Sequence, residues 1–282
     1  MNKRELLSLL DHLEVKPSRR MGQNFLVDDN LRRAILRDFE PRRGERVLEI
    51  GPGTGELTEG LLAAGCMVTA VEMDRRLCGW LRRKFADNPS LRLVQGDACN
   101  LDYVSLLGVQ DYRCLANLPY AITTPWIMRM LRLKNPPRSM DLLIQKELAE
   151  RLVAAPSTKQ YGGLTAALSL LYQTELRRRV PPEVFYPPPE VASACVRLRY
   201  APLLEKPDDI EGTNYVFALI RCSFSQRRKQ LAKLLAPTFV ESAAAAAEAL
   251  SRIGVSPSAR AEELSPHDFL DLAKEISTKN SS

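Results

Sequence analysis

The 282-residue sequence predicts an α/β protein in which a mostly parallel sheet of seven strands precedes a small helical domain. Three observations support this fold class. Short apolar runs alternate with helical patterns from Arg46 onward, which is typical of β-α-β units. A glycine-rich turn directly follows the first apolar run. Beyond about Asp208 the apolar periodicity is helical throughout, which indicates a separate C-terminal domain.

The elements follow in chain order. A leucine-rich amphipathic helix begins the chain and leads into a basic arm, so that residues 1–22 form an N-terminal segment. The sheet domain is expected over residues 23–202, and the helical domain over residues 208–282. Gly65 is placed to end the first helix of the sheet domain in a left-handed cap. The predicted strands are 46–50, 67–72, 91–95, 113–116, 141–145, 173–179 and 194–199.

The net charge of +6 arises from 40 Lys and Arg residues against 34 Asp and Glu residues, and the basic residues are clustered. Residues 112–140 and 213–236 contain five basic residues each and no acidic one, and smaller clusters lie at 16–20 and 177–179. One cluster alone is typical of a solvated helix face, but four together favour a phosphate backbone as the partner. The predicted RNA-binding side chains are Arg129, Arg132, Lys134, Arg138, Arg227, Arg228, Lys229 and Lys233.

Composition argues against several classes of protein. The six cysteines form no C-x-x-C pair, and the two histidines lie far from the glycine-rich turn. This predicts a reduced, cytoplasmic protein that holds no metal and does not depend on histidine catalysis. No apolar run approaches the roughly 20 residues that span a bilayer, and the N-terminus does not resemble a signal peptide. A monomer without membrane attachment is expected.

The strongest local motif is the segment from Val47 to Glu56, which reads VLEIGPGTGE and takes a strand into a glycine turn. Because position 56 is glutamate, the nicotinamide fingerprint G-x-G-x-x-G fails and the pattern is G-x-G-x-G. Gly51 and Gly53 let the backbone turn sharply and approach a ligand. The Glu49 carboxylate can accept a hydrogen bond from the turn or from a ligand ammonium group.

Acidic residues also mark the next two strand ends. Glu72 lies 21 residues after Gly51, where a carboxylate can accept from both hydroxyls of a ribose. Asp97 follows the third strand and is placed to accept from an adenine amino group. Acids and glycines are common at strand ends, but three acids in register at successive strands favour a cofactor that contains a nucleoside.

The fourth strand ends in Asn117-Leu118-Pro119-Tyr120. Because Pro119 fixes the turn, the Asn117 side chain and the Leu118 carbonyl can converge as two acceptors beside the Tyr120 ring. An aromatic amine is a poor nucleophile until hydrogen bonds to both N–H groups localise its lone pair toward a sulfonium methyl group. The motif alone is also compatible with a structural turn. A flipped-out base is held between aromatic faces, and Phe185 is the candidate for the second face.

Eight ordered motifs lie between about Arg20 and Leu272. They are GQNFL at 22–26, EIGPGTG at 49–55, VEMD at 71–74, GDA at 96–98, NLPY at 117–120, QKE at 145–147, FYPPP at 185–189 and FSQRRK at 224–229. Together they resemble the ribosomal RNA adenine dimethyltransferase family, and within it the enzymes of the small subunit.

The resemblance implies a Rossmann-like class I methyltransferase sheet, S-adenosyl-L-methionine as cofactor and rRNA processing as the role. It also implies N6,N6-dimethylation of two adjacent adenines near the 3′ end of 16S (small-subunit) rRNA in the immature 30S subunit. The implied cofactor contacts are Asn24, Leu26, Gly51, Glu72, Asp97 and Asn117. The implied surroundings of the target adenine are Asn117, Leu118, Tyr120 and Phe185.

The sequence departs from the family pattern at Ser225, where asparagine is expected, and in a longer N-terminal helix before Lys16, for which the sequence indicates no function. Two alternatives stay open. One is a sister enzyme that methylates an adenine of 23S (large-subunit) rRNA and confers macrolide resistance. The other is a non-catalytic transcription or assembly factor of the same fold. Leu118 and the basic segment 226–229 favour the small-subunit enzymes, and the intact acidic strand ends favour an enzyme.

Overall fold

The computed structural model describes residues 1–18, 22–204, 210–236 and 238–279. The chain forms two compact units. The first contains Met1–Ala149 and Glu175–Arg199, and the second contains Glu150–Thr174 and Tyr200–Ser282. The second unit therefore includes a segment that the sequence assigns to the sheet domain. The predicted start of the helical domain at Asp208 and the basic arm residues Arg19 and Arg20 lie outside the described residues.

All seven predicted strands are present, with ends within two residues of the predicted ones. The strands are β1 (Phe25–Leu26), β2 (Arg46–Ile50), β3 (Met67–Glu72), β4 (Leu91–Gln95), β5 (Arg113–Asn117), β6 (Ser139–Gln145), β7 (Tyr172–Val180), β8 (Phe185–Tyr186) and β9 (Ser193–Tyr200). Among the described residues seven of them form one sheet in the order β4-β3-β2-β5-β6-β9-β7. Strands β2 to β6 pair in parallel, and β9 is antiparallel to β6.

The amphipathic helix predicted at the N-terminus is present as α1 (Lys3–His12). The other helices are α2 (Asp29–Phe39), α3 (Glu56–Ala63), α4 (Arg75–Lys84), α5 (Tyr103–Leu107), α6 (Tyr120–Met130), α7 (Lys146–Leu152), α8 (Gly163–Ser169), α9 (Ile210–Ser223), α10 (Leu231–Leu235), α11 (Ala243–Arg252) and α12 (Pro266–Lys279). Two short 3₁₀ turns lie at Pro182–Val184 and Ala261–Glu263. No helix of the described ranges is both long and apolar enough to cross a membrane.

The core of the first unit lies between the sheet and helices α2 and α3. Phe39 and Leu61 from these helices pack against Val47, Val68 and Leu115 of the central strands, and all five are nearly inaccessible to solvent. Burying side chains of this size contributes about 1.5 to 3 kcal/mol each. Gly65, after α3, has a left-handed φ of +81°, as the predicted cap requires. The glycine turn between β2 and α3 is thus held on a packed framework.

A buried ion pair joins β6 and β9, which pair in antiparallel orientation. Asp141 on β6 lies opposite Arg197 on β9, and the Arg197 Nε donates to Asp141 Oδ1 at 2.8 Å. The Arg197 guanidinium also donates to the main-chain carbonyl of Asp38 in α2. Burial raises the pKa of Asp141 although Arg197 opposes this shift. The pair therefore connects β6, β9 and α2 within the first unit.

The second unit has an aromatic core. The Tyr161 hydroxyl donates to the Leu264 carbonyl at 3.1 Å, and the Tyr161 ring packs edge-on against Phe224 with ring centroids 6.0 Å apart. Phe224 in turn contacts Phe269 of α12. Tyr161 comes from the inserted segment 150–174, which explains why that segment groups with the C-terminal helices.

Candidate active site

A cavity of about 280 Å³ opens at the carboxyl ends of strands β2, β3, β4 and β5. Ligands of open α/β sheets bind at this edge, because the loops that follow parallel strands meet there. The cavity is lined by eleven of the twelve predicted cofactor-binding and catalytic residues, and Glu49 is the exception. The eleven are Asn24, Leu26, Gly51, Gly53, Glu72, Asp97, Asn117, Leu118, Pro119, Tyr120 and Phe185.

The glycine turn approaches the neighbouring strand end closely. Gly51 has a φ of +70°, and a Cβ atom at this position would lie 3.1 Å from the Asn117 carbonyl oxygen. Its N–H donates to the Val71 carbonyl at 3.0 Å, so the turn is bonded to β3 on its other side. Only a residue without a side chain suits both the backbone conformation and the space. Gly51 therefore allows the cavity floor to lie directly on the backbone.

Glu72 supports the turn and faces the cavity. Its carboxylate accepts from the Gly53 N–H at 3.1 Å and from the Asp74 N–H at 2.9 Å. The side chain is buried, and this burial raises the pKa of Glu72 although the backbone donors oppose the shift. Because an ionised carboxylate has about four acceptor positions, Glu72 keeps acceptor capacity for further donors. Glu72 can therefore accept from a ligand with two adjacent hydroxyls.

Asp97 is fixed by its own loop. Its Oδ1 accepts from the Cys99 N–H at 2.8 Å, and its Oδ2 accepts from the Asn100 side-chain amide at 2.7 Å. These bonds hold the carboxylate at the end of β4, where it lines the cavity. It keeps acceptor capacity toward the cavity, which suits an amino group.

The amide of Asn117 has a defined orientation. Its Nδ2 donates to the Asn24 carbonyl at 3.3 Å, and the Asn24 Nδ2 donates to the Gly22 carbonyl at 3.3 Å. Because its nitrogen is engaged with the N-terminal arm, Asn117 presents its Oδ1 as an acceptor. No donor to the Leu118 carbonyl is found within the described ranges. Asn117 and Leu118 can thus supply the two neutral acceptors that the sequence predicts.

Two aromatic residues border the same cavity. Tyr120 is the first residue of α6, and its hydroxyl lies 2.7 Å from the Ser193 Oγ. Phe185 is buried and begins β8, which pairs with β1 so that Leu26 lies opposite Phe185. The short β1–β8 ribbon therefore brings the N-terminal arm and the second aromatic residue together. Ser193 and this ribbon were not indicated by the sequence.

Glu49 is predicted to contact the cofactor, but its side chain lies away from the cavity. It is only 2% exposed and does not line the cavity. Its Oε2 atom has no hydrogen-bond partner among the described residues. Burial raises the pKa of Glu49 to about 7. The side chain therefore lies in the protein interior, one residue before the last residue of β2.

Helix α1 forms part of the support for the cavity wall, which the sequence did not indicate. Its buried residues Leu6 and Leu10 belong to a hydrophobic cluster with Phe25 of the arm and Leu77 of α4. Both Phe25 and Leu77 line the cavity. An amphipathic helix at this position is predictable from its leucine spacing, but its packing partner is not.

Three of the eight predicted RNA-binding residues have partners within the protein. Arg129 donates to a main-chain carbonyl, Arg138 pairs with Asp111 at 2.9 Å, and Arg227 pairs with Glu262 at 2.6 Å. The other five are exposed and form no ion pair with any described residue. They are Arg132, Lys134, Arg228, Lys229 and Lys233.

The chain is similar to known proteins over nearly its whole length. The model of the family described as ribosomal RNA adenine dimethylase matches residues 15–278. A ribosomal RNA small subunit methyltransferase A from Synechococcus sp. (strain JA-3-3Ab) is 43% identical over 265 residues, covering 91% of this chain and 92% of that protein. A protein of the same name from Pseudomonas aeruginosa is 38% identical over 259 residues, covering 92% and 94% of the two chains.

Two solved structures share the fold. A dimethyladenosine transferase from Plasmodium falciparum superposes with a TM-score of 0.78 at 24% identity, covering 91% of this chain and 98% of that one. The 23S rRNA methyltransferase ErmE gives a TM-score of 0.67 at 26% identity, covering 90% and 100%. The predicted Rossmann-like class I methyltransferase fold is confirmed, and so is the family resemblance. This chain belongs to the ribosomal RNA adenine dimethylase family.

Proposed function

We propose that this protein transfers methyl groups from S-adenosyl-L-methionine to the N6 amino group of adenine in small-subunit rRNA, and that it forms N6,N6-dimethyladenine. The observation that supports this most directly is the convergence of two kinds of group in one cavity. Glu72 and Asp97 suit the ribose and the base of a nucleoside cofactor. Asn117 and Leu118 suit an aromatic amine.

The donor and acceptor set of the cavity fits S-adenosyl-L-methionine. Glu72 would accept from the ribose hydroxyls, and Asp97 from the adenine amino group. The arm residues Asn24 and Leu26 and the glycine turn would enclose the rest of the molecule. When bound, the cofactor supplies an electrophilic methyl group on a sulfonium centre. The protein therefore needs to orient the acceptor amine and has no need to activate the methyl donor.

The residues of the fourth strand end perform that orientation. The Asn117 Oδ1 and the Leu118 carbonyl accept hydrogen bonds from the two N–H groups of the target amine. These bonds localise the nitrogen lone pair and aim it into the cavity. Tyr120 and Phe185 provide faces on which an unstacked base can rest. When the N–C bond forms and the bond from the methyl group to sulfur breaks, the amine nitrogen becomes acidic and must lose one proton. Water can take that proton, so no strong base is required, and the neutral oxygens of Asn117 and Leu118 serve only to orient the amine.

The choice of the small subunit rests on the relatives. The two proteins named ribosomal RNA small subunit methyltransferase A match over more than 90% of their own lengths. The family resemblance further indicates which bases are methylated: two adjacent adenines near the 3′ end of 16S rRNA, within the immature 30S subunit. The alternative function, methylation of large-subunit rRNA, is the one given in the name of the structural neighbour ErmE, a 23S rRNA methyltransferase.

The test is a methylation assay with purified protein, S-adenosyl-L-methionine and either immature small subunits or 23S rRNA, followed by mass spectrometry of the nucleosides. Dimethyladenosine in 16S rRNA is the expected product. Methylation of 23S rRNA would support the large-subunit alternative. Cofactor binding without methylation of either RNA would support the non-catalytic one.

A variant pair tests the cofactor site separately. Asp97→Asn should weaken cofactor binding about tenfold or more, because a charge-assisted hydrogen bond contributes about 1.5 to 3 kcal/mol. Asp87→Asn is the matched control, since Asp87 is exposed in the loop after α4 and does not line the cavity. Titration calorimetry measures both affinities. Equal affinities of the two variants would remove Asp97 from the site.

A second pair tests RNA binding. Arg228 and Lys229 are exposed, so replacing both with glutamine should weaken RNA binding at low salt and reduce the slope of log affinity against log salt by about 2. Arg227→Gln is the control, because Arg227 pairs with Glu262 and donates to the Lys159 carbonyl at 2.5 Å. It should lower stability and leave the salt slope unchanged. An unaltered slope in the double variant would exclude phosphate contacts by this segment.

A further inference from the structure

Ser193 is a buried polar residue beside the proposed methyl-transfer site. It is 1% exposed and is the first residue of β9. Its hydroxyl lies 2.7 Å from the Tyr120 Oη, which is the usual separation of an O–H···O hydrogen bond. A buried hydroxyl that lacks a partner costs about 1 to 3 kcal/mol, so each of the two groups satisfies the other.

The main chain fixes Ser193 more firmly than it fixes Tyr120. Ser193 pairs with Gln145 in the antiparallel ladder between β6 and β9, and the adjoining Ala192 carbonyl accepts from the Lys146 N–H at 2.9 Å. The sheet therefore fixes the position of the serine hydroxyl. Tyr120, in contrast, begins α6 after Pro119, and no side chain caps that helix.

The Tyr120 side chain is suited to a neutral hydrogen bond. Its ring lines the cavity and is partly buried. This burial raises the pKa of Tyr120, so its hydroxyl stays protonated across the neutral pH range. The bond to Ser193 then acts at the end of the side chain that is most distant from the backbone. A hydrogen bond at this end limits how far the ring can tilt. Contacts near the Cβ atom alone would fix the tilt less well.

We propose that Ser193 is a positioning residue that holds the Tyr120 ring in the orientation on which the target base stacks. This inference rests on the proposed methyl transfer and adds a residue to it. Ser193 does not line the cavity and would act only through Tyr120. The rate of transfer should therefore depend on the bond between the two hydroxyls, and cofactor binding should not.

The first test examines the bond without using the reaction. Unfolding free energies are measured for Ser193→Ala, Tyr120→Phe and the double variant. A coupled pair predicts that the double variant loses less stability than the sum of the single variants. Additive losses would overturn the proposal. This result does not depend on whether the protein methylates RNA.

The second test measures kcat and cofactor affinity in the same variants. Ser193→Ala and Tyr120→Phe should each lower kcat on the order of tenfold, with no further loss in the double variant, because a slightly misplaced group lowers the rate sharply. Cofactor affinity should stay within about twofold of the wild-type value. Ser193→Thr keeps a hydroxyl and should recover most of the rate.

Ser139→Ala is the matched control. Ser139 is also a buried serine at a strand start, but its hydroxyl accepts from the Arg113 Nε at 2.9 Å and it does not line the cavity. It should lose stability and retain kcat. An equal fall in kcat for Ser139→Ala and Ser193→Ala would overturn the proposal, and so would an unchanged kcat in Ser193→Ala. A wild-type protein that transfers no methyl group would instead reject the proposed function.

Discussion

Replacing Gly22 with alanine should separate the N-terminal arm from the turn that carries the target acceptors. Gly22 has a φ of +61°, and a Cβ atom there would lie 2.9 Å from the Pro119 Cβ. Ordinary contact begins at 3.4 Å, so the arm and the turn must move apart by about 0.5 Å. The hydrogen bond from Asn117 to the Asn24 carbonyl is already 3.3 Å long and should break.

The substitution should have two effects, one on the folding free energy and one on the rate of methyl transfer. An alanine in the left-handed region costs about 1 to 2 kcal/mol of folding free energy. Displacement of a reacting group by 1 Å can lower the rate about 100-fold, so about 0.5 Å should lower kcat roughly tenfold. Gly44→Ala separates the effect on stability from the effect on rate, because Gly44 has a φ of +77° and no described residue other than its two chain neighbours has an atom within 4 Å of the added Cβ.

Urea denaturation and the methylation assay together test this reasoning. Both alanine variants should lose unfolding free energy, Gly22→Ala more than Gly44→Ala because of its contact with Pro119, and only Gly22→Ala should lose kcat and cofactor affinity. A Gly44→Ala variant that is as slow as Gly22→Ala would refute the argument from displacement. A Gly22→Ala variant with full activity would show that the arm does not orient Asn117.

Three further perturbations have defined outcomes. Burial holds the pKa of Glu49 at about 7 against 4.5 when unfolded, so the contribution of Glu49 to the unfolding free energy should fall by about 3 kcal/mol as pH rises from 4.5 to 7 and then level off. In urea denaturation at several pH values, the unfolding free energy of Glu49→Gln should fall less than that of the wild type over this range, by about the same 3 kcal/mol. Leu10→Ala should weaken cofactor binding in calorimetry, since Leu10 supports the cavity wall, while Leu7→Ala, at a 39% exposed position of the same helix, should not. Asp141→Ala leaves the buried Arg197 charge without its carboxylate partner and should cost about 3 to 5 kcal/mol in the same denaturation assay, and adding Arg197→Leu should recover part of that loss.

The strands of the sheet were predictable because parallel strands that are buried on both faces are continuous apolar runs. The main discrepancy is at the start of β6, which begins at Ser139, two residues before the predicted start. Ser139 and Asp141 are polar yet buried, because their partners are the arginines Arg113 and Arg197. These arginines are 26 and 56 residues away in sequence, so no local pattern could identify them.

The strand ends indicated most of the cavity lining, since parallel strands bring their carboxyl ends to one edge. Glu49 shows the limit of this reasoning. It is still within β2, and the spacing of a motif does not tell whether such a side chain points into a cavity or into the core. Ser193 is the opposite case, because its proximity to Tyr120 depends on the antiparallel register of β9, which the sequence does not specify.

The discontinuous second unit limits how this chain can be dissected. A fragment that stops at Tyr200 would keep Tyr161 but lose its partners Phe224 and the Leu264 carbonyl, and it would expose an apolar surface. The complementary C-terminal fragment would lack the same tyrosine. Limited proteolysis would therefore not release an autonomous helical domain, and a chimera between relatives should exchange residues 150–174 together with 200–282.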